Sequence, residues 1–305
     1  MDSNQVCSGL KAKFPSLEIY QNHPLTPYTT VKIGGPADIF IHTKSSDEFL
    51  NLLKYLFDDE TNIFSARNIR GAMPTGVSTV KNDLPNKIQI TILGNGSNVL
   101  ISDSGIRGIV IKNDSSEMEI IDKNKIKSSS GTQLSHLINY SLDHGLLGLE
   151  EFAYIPSTVG GAIVGNIHGD DKNYFSQIID SVEKYGDFII SAIIKLNPGD
   201  PASAKQKVQN IIQKKSQIQS MLSLGSVFKN PEGQNPAGMI IDQDLNLKGY
   251  SIGGAQISPN HANFIVNTGH ATAKDYLTLI NLIQSKVQEK FGFKFELEIK
   301  FLGQF

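Results

Sequence analysis

Apolar and polar positions along the 305-residue chain follow two different periods, and the switches between them mark its elements. Tyr28–Ile33 and Asp38–Ile41 both alternate apolar with polar positions, which predicts two strands joined by a tight bend at Gly34-Gly35. Phe49, Leu50, Leu53 and Leu56 then recur at helical spacing. Ser45 or Ser46 suits the N-cap of that helix, with Asp47 and Glu48 where its dipole favours acid. Residues 58–86 show no period and are read as a long, partly disordered excursion without assignable chemistry. Strand patterns return at Ile88–Leu93, Val99–Ile101 and Gly108–Lys112, followed by a hairpin from Met118 to Ser128 turning at Lys123-Asn124. Thr132 is placed to cap a helix carrying Leu134, Leu137, Ile138 and Leu142, ended by His144 and Gly145.

Asn197-Pro198-Gly199-Asp200-Pro201 is the clearest boundary along the chain. Beyond it Ser203 opens a helix through Val208, Ile211 and Ile212, and Leu224-Gly225-Ser226-Val227-Phe228-Lys229-Asn230-Pro231 forms a polar cluster held by Gly and Pro. Ser258–Asn267 reads as a polar turn feeding a strand. A helix from about Thr272 to Lys290 presents Tyr276, Ile280, Ile283 and Val287 on one face, with Gly292 past its end. The chain closes on an alternating stretch, Phe295 to Leu302, which sets Glu296, Glu298 and Lys300 on one side of a predicted strand.

A content of 39% hydrophobic and 19% charged residues describes an ordered chain with a sizeable core. The formal charge of −2 supplies no basic field for nucleic acid or an anionic membrane. A single cysteine, Cys7, excludes an internal disulfide, and no Cys/His cluster has zinc spacing. With no signal-like N-terminus and no apolar run near about 18 residues, a soluble, cytoplasmic protein is expected, acting as a monomer.

The stretch with most chemical content is Leu93-Gly94-Asn95-Gly96-Ser97-Asn98-Val99, a polar turn between two strands. Glycine at 94 and 96 lets successive backbone N–H groups converge on one point, as a phosphate or pyrophosphate requires. Val99 stands where a dinucleotide G-x-G-x-x-G needs its third glycine, and a strand follows where that motif needs a helix, so a Rossmann reading fails. An ordinary hairpin turn also fits these residues. A second glycine-bearing segment, Gly148–Ala162, opens a predicted helix, where close approach to a flat or anionic ligand and tight helix packing are both compatible with the pattern.

Thr29–Ala37, Gly94–Gly108, Gly145–Asn166, Gly225–Pro231, Gly253–Asn267 and Glu298–Gly303 occur in one order that resembles the UDP-N-acetylenolpyruvoylglucosamine reductase family. The resemblance spans about residue 25 to the end. It implies an α+β fold: an FAD-binding type 2 (PCMH-like) domain at 1–198, in subdomains of roughly 20–92 and 93–198, and a C-terminal α/β substrate domain at 199–305. It further implies that Gly94, Asn95, Gly96, Ser97 and Asn98 hold the FAD pyrophosphate, and that Gly34, Gly35, Thr158, Gly160 and Gly161 line the flavin and its phosphates. Ser226 matches the family's proton donor and Glu298 its carboxylate near the enolpyruvyl group. Gln217 and Asn230 match polar residues of the substrate site, and Lys229 lies in the same motif, placed to face an anionic substrate.

The reaction implied is reduction of UDP-N-acetylglucosamine enolpyruvate, with NADPH reducing FAD and hydride passing to the vinyl carbon. Negative charge then spreads into the substrate carboxylate, so the neighbouring Glu298 is expected to act in its protonated form, or through a bound water or donor. Delivery of a proton by a positioned group such as Ser226 is worth ~10²–10⁴ in rate. Taken alone, Ser226 is a turn serine, Glu298 a solvated charge, and His144, His168 and His261 are structural or surface residues. Three departures from the family stand out, the first being that a shorter Ile167-His168-Gly169 follows Asn166 where the family continues with an Ala-Gly-Ala-x-Gly run. Ser157 stands in place of a glycine, which strains the backbone by about 1 kcal/mol if that position needs positive φ. The family's Tyr-Arg-x-Ser segment has no counterpart, because Gly169–Ile194 is too short; Lys184 with Tyr185, or His168, are the candidates to replace its arginine. A flavin- or nucleotide-binding homologue without reductase activity is the alternative reading.

Overall fold

The computed structural model describes residues 3–57, 64–66, 88–169, 173–219 and 222–305. The 58–86 excursion lies outside these residues except for a short strand, Phe64–Ala66. Among the described residues, five strands form a first sheet in the order Glu18–Pro24, Pro36–Thr43, Ile106–Asn113, Ile88–Leu93, Phe64–Ala66. The outermost pair, Glu18–Pro24 with Pro36–Thr43, is antiparallel and the others are parallel. Helices Ser3–Lys13 and Ser46–Phe57 cover it, burying Leu10, Phe49 and Leu53 against Ile39, Ile41, Ile109 and Ile111. The second helix begins as its sequence demands: Ser45 Oγ accepts from Glu48 N (3.1 Å), and the Glu48 carboxylate accepts from Lys44 N (2.7 Å).

An antiparallel sheet follows in the order Ile179–Tyr185, Phe188–Lys195, Lys125–Ser129, Met118–Asp122. Helices Leu134–Asp143 and Val159–Gly165 pack on it through Leu134, Leu137, Ile138 and Ala162. A third sheet, Ser223–Ser226, Phe264–Asn267, Ala255–Ile257, Ser251–Ile252, is covered by helix Ala273–Phe291, whose Tyr276, Ile280, Ile283 and Val287 are buried as the helical period requires. Finally, Lys300–Leu302 runs parallel to Val99–Ile101, returning the end of the chain to the polar turn. No helix among the described residues is long and apolar enough to cross a membrane.

Several expectations need correction. Tyr28–Ile33 is not a strand: a 3₁₀ turn at Thr26–Tyr28 leads into a loop in which Lys32 has φ +55°. Its alternation arises because Val31 and Ile33 are buried in the C-terminal core. The subdomain boundary at 92/93 divides a single sheet, since Ile106–Asn113 lies between Pro36–Thr43 and Ile88–Leu93. Packing does not follow the 198/199 boundary either: helix Pro201–Gln219 lays Ala204 and Val208 on the core of the second sheet. That helix starts at Pro201, where Asp200 accepts from Ala202 N (3.1 Å) and Ser203 N (3.0 Å), so Ser203 does not open it. Thr132 caps nothing. Gln133 occupies the N-cap of helix Leu134–Asp143, and Thr132 Oγ1 is buried without a hydrogen-bond partner. The closing strand shrinks to Lys300–Leu302, because residues 296 and 298 bond instead to Lys229 and Val227. Ser157 is not left-handed, so no such strain arises; its hydroxyl donates to Thr158 O (3.0 Å).

The start of helix Ala273–Phe291 ties distant parts of the chain together. Asp103 accepts from Ala273 N (2.8 Å) and Lys274 N (3.0 Å), while Thr272 and Asp275 form a capping box, so all four leading amides are satisfied. Asp103→Ala leaves two of them without a protein acceptor and should cost about 1 kcal/mol. Thermal unfolding followed by circular dichroism should show the midpoint roughly 2 °C lower.

Candidate active site

The site is built on the turn between Ile88–Leu93 and Val99–Ile101. Gly96 has φ +60°, and a Cβ there would lie 2.2 Å from Tyr28 O, so only glycine fits. A Cβ at Gly94 would stand 2.8 Å from Thr158 Oγ1, which brings the second glycine segment against the first. Asn95 Nδ2 donates to Pro156 O (3.0 Å), locking the two together. The amides of Asn95, Gly96, Ser97 and Asn98 donate to no acceptor among the described residues. Four successive donors of this kind on a glycine turn fit the pyrophosphate of FAD without bringing a counter-charge. Beside them opens a cavity of ≈ 400 Å³ lined by Tyr28, Thr30, Lys32, Asn95, Lys112 and Gln133.

The other glycines act by closeness. Gly35 N donates to Ser102 O (2.8 Å), Gly160 N to Ser130 O (2.7 Å) and Gly161 N to Thr158 Oγ1 (3.1 Å). These amides are committed within the protein, so Gly35, Gly160 and Gly161 can offer a ligand only a backbone without side chains. Gly34, at φ +148°, packs against Ile101, and Thr158 is the N-cap of helix Val159–Gly165.

Ser226 and Glu298 come together through the backbone. Ser226 ends strand Ser223–Ser226 just after Gly225, which takes φ +76°, and the pairing with Phe264–Asn267 is irregular there. The next residue, Val227, accepts from Glu298 N (2.9 Å), and Asn98 Nδ2 donates to Glu298 O (3.2 Å). Thr30 completes the junction: its N–H donates to Gly96 O (3.3 Å) and its hydroxyl to Ser223 O (2.7 Å). The polar turn, Glu298 and the residues on either side of Ser226 are thus tied by hydrogen bonds across about two hundred residues of sequence.

Glu298 is exposed, and the protein packed around it displaces part of its hydration. Removal from bulk water pushes its carboxyl above the ordinary carboxylate value, and the charges of His168 and Lys229 pull partly against that. Lys229 is exposed and pairs with Glu296 (Nζ to Oε2, 3.1 Å). Asn230 Oδ1 accepts from Ala237 N (3.0 Å), which leaves its amide nitrogen to meet a ligand. Gln217 falls in the last turn of helix Pro201–Gln219, its side chain outside the described residues.

His168 had only its position after the second glycine segment to mark it. The hairpin of Ile179–Tyr185 and Phe188–Lys195 turns through Gly186-Asp187, with Lys184 exposed and Phe188 packed at a tilt on Phe57 at the first core (ring centroids 5.1 Å). Lys184 and Tyr185 are therefore directed to that side of the molecule, and the charges acting on Glu298 come from His168 and Lys229.

Residues 208–302 match the model of the UDP-N-acetylenolpyruvoylglucosamine reductase C-terminal domain, and residues 78–185 match an FAD binding domain. The chain is 35% identical to the UDP-N-acetylenolpyruvoylglucosamine reductase of Caldanaerobacter subterraneus subsp. tengcongensis, covering 94% of both chains. It is 32% identical to that of Listeria welshimeri, over 97% of this chain and 99% of the relative. The crystal structure of the Thermus caldophilus enzyme superposes with a TM-score of 0.70 at 27% identity, over 94% of this chain and 99% of that one.

Two outcomes follow from the geometry. Gly94→Ala puts a methyl against Thr158 Oγ1 in the cradle, and the purified variant should retain several-fold less flavin by absorbance than the parent. Because the Glu298 pKa is raised on folding, its contribution favours the folded state below the ordinary carboxylate value, 4.5, and that advantage is lost as pH rises through the raised value. Glu298→Gln, permanently neutral, should match the parent's thermal midpoint in acid and exceed it at neutral pH.

Proposed function

The chain belongs to the UDP-N-acetylenolpyruvoylglucosamine reductase family, and we propose that its site performs the reduction of UDP-N-acetylglucosamine enolpyruvate to UDP-N-acetylmuramate with NADPH and FAD, a step of peptidoglycan synthesis. The single observation that carries the residue roles is the hydrogen-bonded junction of the Gly94–Asn98 turn, Glu298 and the Ser226 loop. When bound, FAD supplies the relay of hydride from NADPH to the vinyl carbon.

The protein's own part is orientation and protons. Backbone donors at 95–98 hold the pyrophosphate, while Gly34, Gly35, Gly160 and Gly161 admit the flavin to close range. Lys229, Asn230 and Gln217 receive the polar, anionic substrate. Glu298, whose carboxyl pKa is raised above its ordinary value by partial loss of hydration, acts in its protonated form and donates to the substrate carboxylate as negative charge spreads into it, where an ionised carboxylate would repel it. Ser226 Oγ–H gives its proton to the carbon adjacent to that carboxylate, and the serine is reprotonated from solvent. The chain acts as a cytoplasmic monomer.

Purified protein should be yellow and oxidise NADPH over many turnovers only when UDP-N-acetylglucosamine enolpyruvate is present. Ser226→Ala should lower kcat by ~10²–10⁴ with little change in KM, since the proton is transferred only in the transition state. Flavin binding without substrate-dependent NADPH oxidation would instead identify a non-catalytic flavin-binding homologue.

A further inference from the structure

Lys32 is unusual on two counts. It is a lysine in the left-handed region, at φ +55°, where glycine or asparagine ordinarily stands and an L side chain is held at a cost. It is also a cation without a carboxylate: among the described residues its Nζ donates to Pro27 O (2.8 Å) and forms no ion pair. Strain of this kind persists only where the surroundings fix it, and here they do. Val31 and Ile33, on either side, are buried in the C-terminal core. Val31 O accepts from Asn267 Nδ2 (3.0 Å), and Thr29 Oγ1 donates to Ile33 O (3.0 Å). Between two residues turned into that core, Lys32 is left exposed, and it lines the ≈ 400 Å³ cavity beside the polar turn.

The turn has a cavity end and a Glu298 end. Asn95, its first free amide, lines the cavity, whereas Asn98, its last, donates through Nδ2 to Glu298 O (3.2 Å). The described residues lining the cavity all fall between 27 and 136, so Ser226 and Glu298 have no part in it. A dinucleotide with its diphosphate on these amides and its flavin at the Glu298 end therefore sends its other half towards the cavity, whose volume is that of a small-molecule pocket. The other lysine and the aspartate of the wall are committed, Lys112 to Asp114 and Asp114 to His42 (2.7 Å). Lys32 is not. Its backbone is fixed to the turn, since Lys32 N donates to Thr29 O (3.3 Å) and Thr30 N to Gly96 O (3.3 Å). An anion at the cavity end competes for Nζ only with a carbonyl, a weaker acceptor for an ammonium than a phosphate oxygen.

We propose that Lys32 is a phosphate-binding residue: with FAD in place, its Nζ leaves Pro27 O for an oxygen of the adenylyl phosphate, the one at the cavity end of the turn. This role rests on the Gly94–Asn98 turn holding the FAD diphosphate, as the proposed function has it. The neutral amides hold the diphosphate as a whole, and Lys32 tells its two ends apart. Its charge stands on the adenosine side, away from the flavin. It favours a dinucleotide over FMN, which ends at the phosphate nearer Glu298.

The full-length protein, freed of flavin and checked by circular dichroism for an unchanged fold, is titrated with FAD and FMN by flavin fluorescence and with ADP by calorimetry. Lys32→Gln keeps a donor for Pro27 O without the charge. It should weaken FAD and ADP by roughly tenfold, flatten the salt dependence of both, and leave FMN within about twofold of the parent. Lys32→Arg should retain the parent's affinities. Lys32→Gly relieves the backbone, so it should melt no lower than the parent while losing FAD affinity as Lys32→Gln does, which separates loss of charge from loss of fold. An unchanged FAD affinity in Lys32→Gln, or an equal loss for FMN and FAD, would overturn the role of Lys32. A parent that takes up no flavin would overturn the FAD reading instead. ADP then decides on Lys32 alone: binding weakened in Lys32→Gln upholds a phosphate contact in the cavity, and binding indifferent to that change removes it.

Discussion

Everything in the site depends on the return of the last chain segment to the polar turn. Lys300–Leu302 pairs in parallel with Val99–Ile101, and Lys300 N donates to Asn98 O (3.0 Å) just before that pairing begins. Two residues upstream, Glu298 is consequently held beside the turn by Asn98 and beside Ser226 by Val227. The bonds are mostly between backbone groups, so the arrangement tolerates changes of side chain more readily than changes of chain path. Val31, Ile33 and Leu100 reinforce it by entering the C-terminal core from the N-terminal half of the chain.

The cleft handles charge in two ways. Along the wall of the first sheet, charges neutralise one another: Lys112 pairs with Asp114, Asp114 with His42 (2.7 Å), His42 with Glu18 (3.2 Å) and Glu18 with Lys44. Such a chain is satisfied from end to end and leaves little for a ligand to recruit. At the junction, by contrast, donors are neutral amides and the carboxyl of Glu298 has no hydrogen-bonded counter-ion among the described residues. Neutral donors bind a diphosphate without fixing an opposing charge that hydride transfer would have to work against, and the partial loss of hydration at Glu298 favours its protonated form.

The shortened stretch after Asn166 is absorbed without disturbing the fold. The hairpin closes through two residues, Gly186-Asp187, and its tip packs on Phe57 at the first core, where a longer hairpin would extend further.

Local physics determined much of this protein from sequence alone. The helices at Ser46–Phe57 and Ala273–Phe291 were legible because their caps and apolar period lie within a few turns of one another. The strands at Ile88–Leu93 and Val99–Ile101, and the polar turn between them, were equally local. Ser226 and Glu298 were named through a family pattern, since nothing about a turn serine or a single glutamate is distinctive by itself. Tertiary structure alone decided the rest. Val31 and Ile33 alternate like a strand yet are buried in another core, because burial and not pairing sets where apolar residues fall. Thr132 has the right identity for a cap, but the chain enters that helix one residue later, leaving its hydroxyl without a partner. The raised pKa of Glu298 depends on which segments meet in space. Periodicity reports one element at a time, whereas a carboxyl's protonation is set by every element that surrounds it.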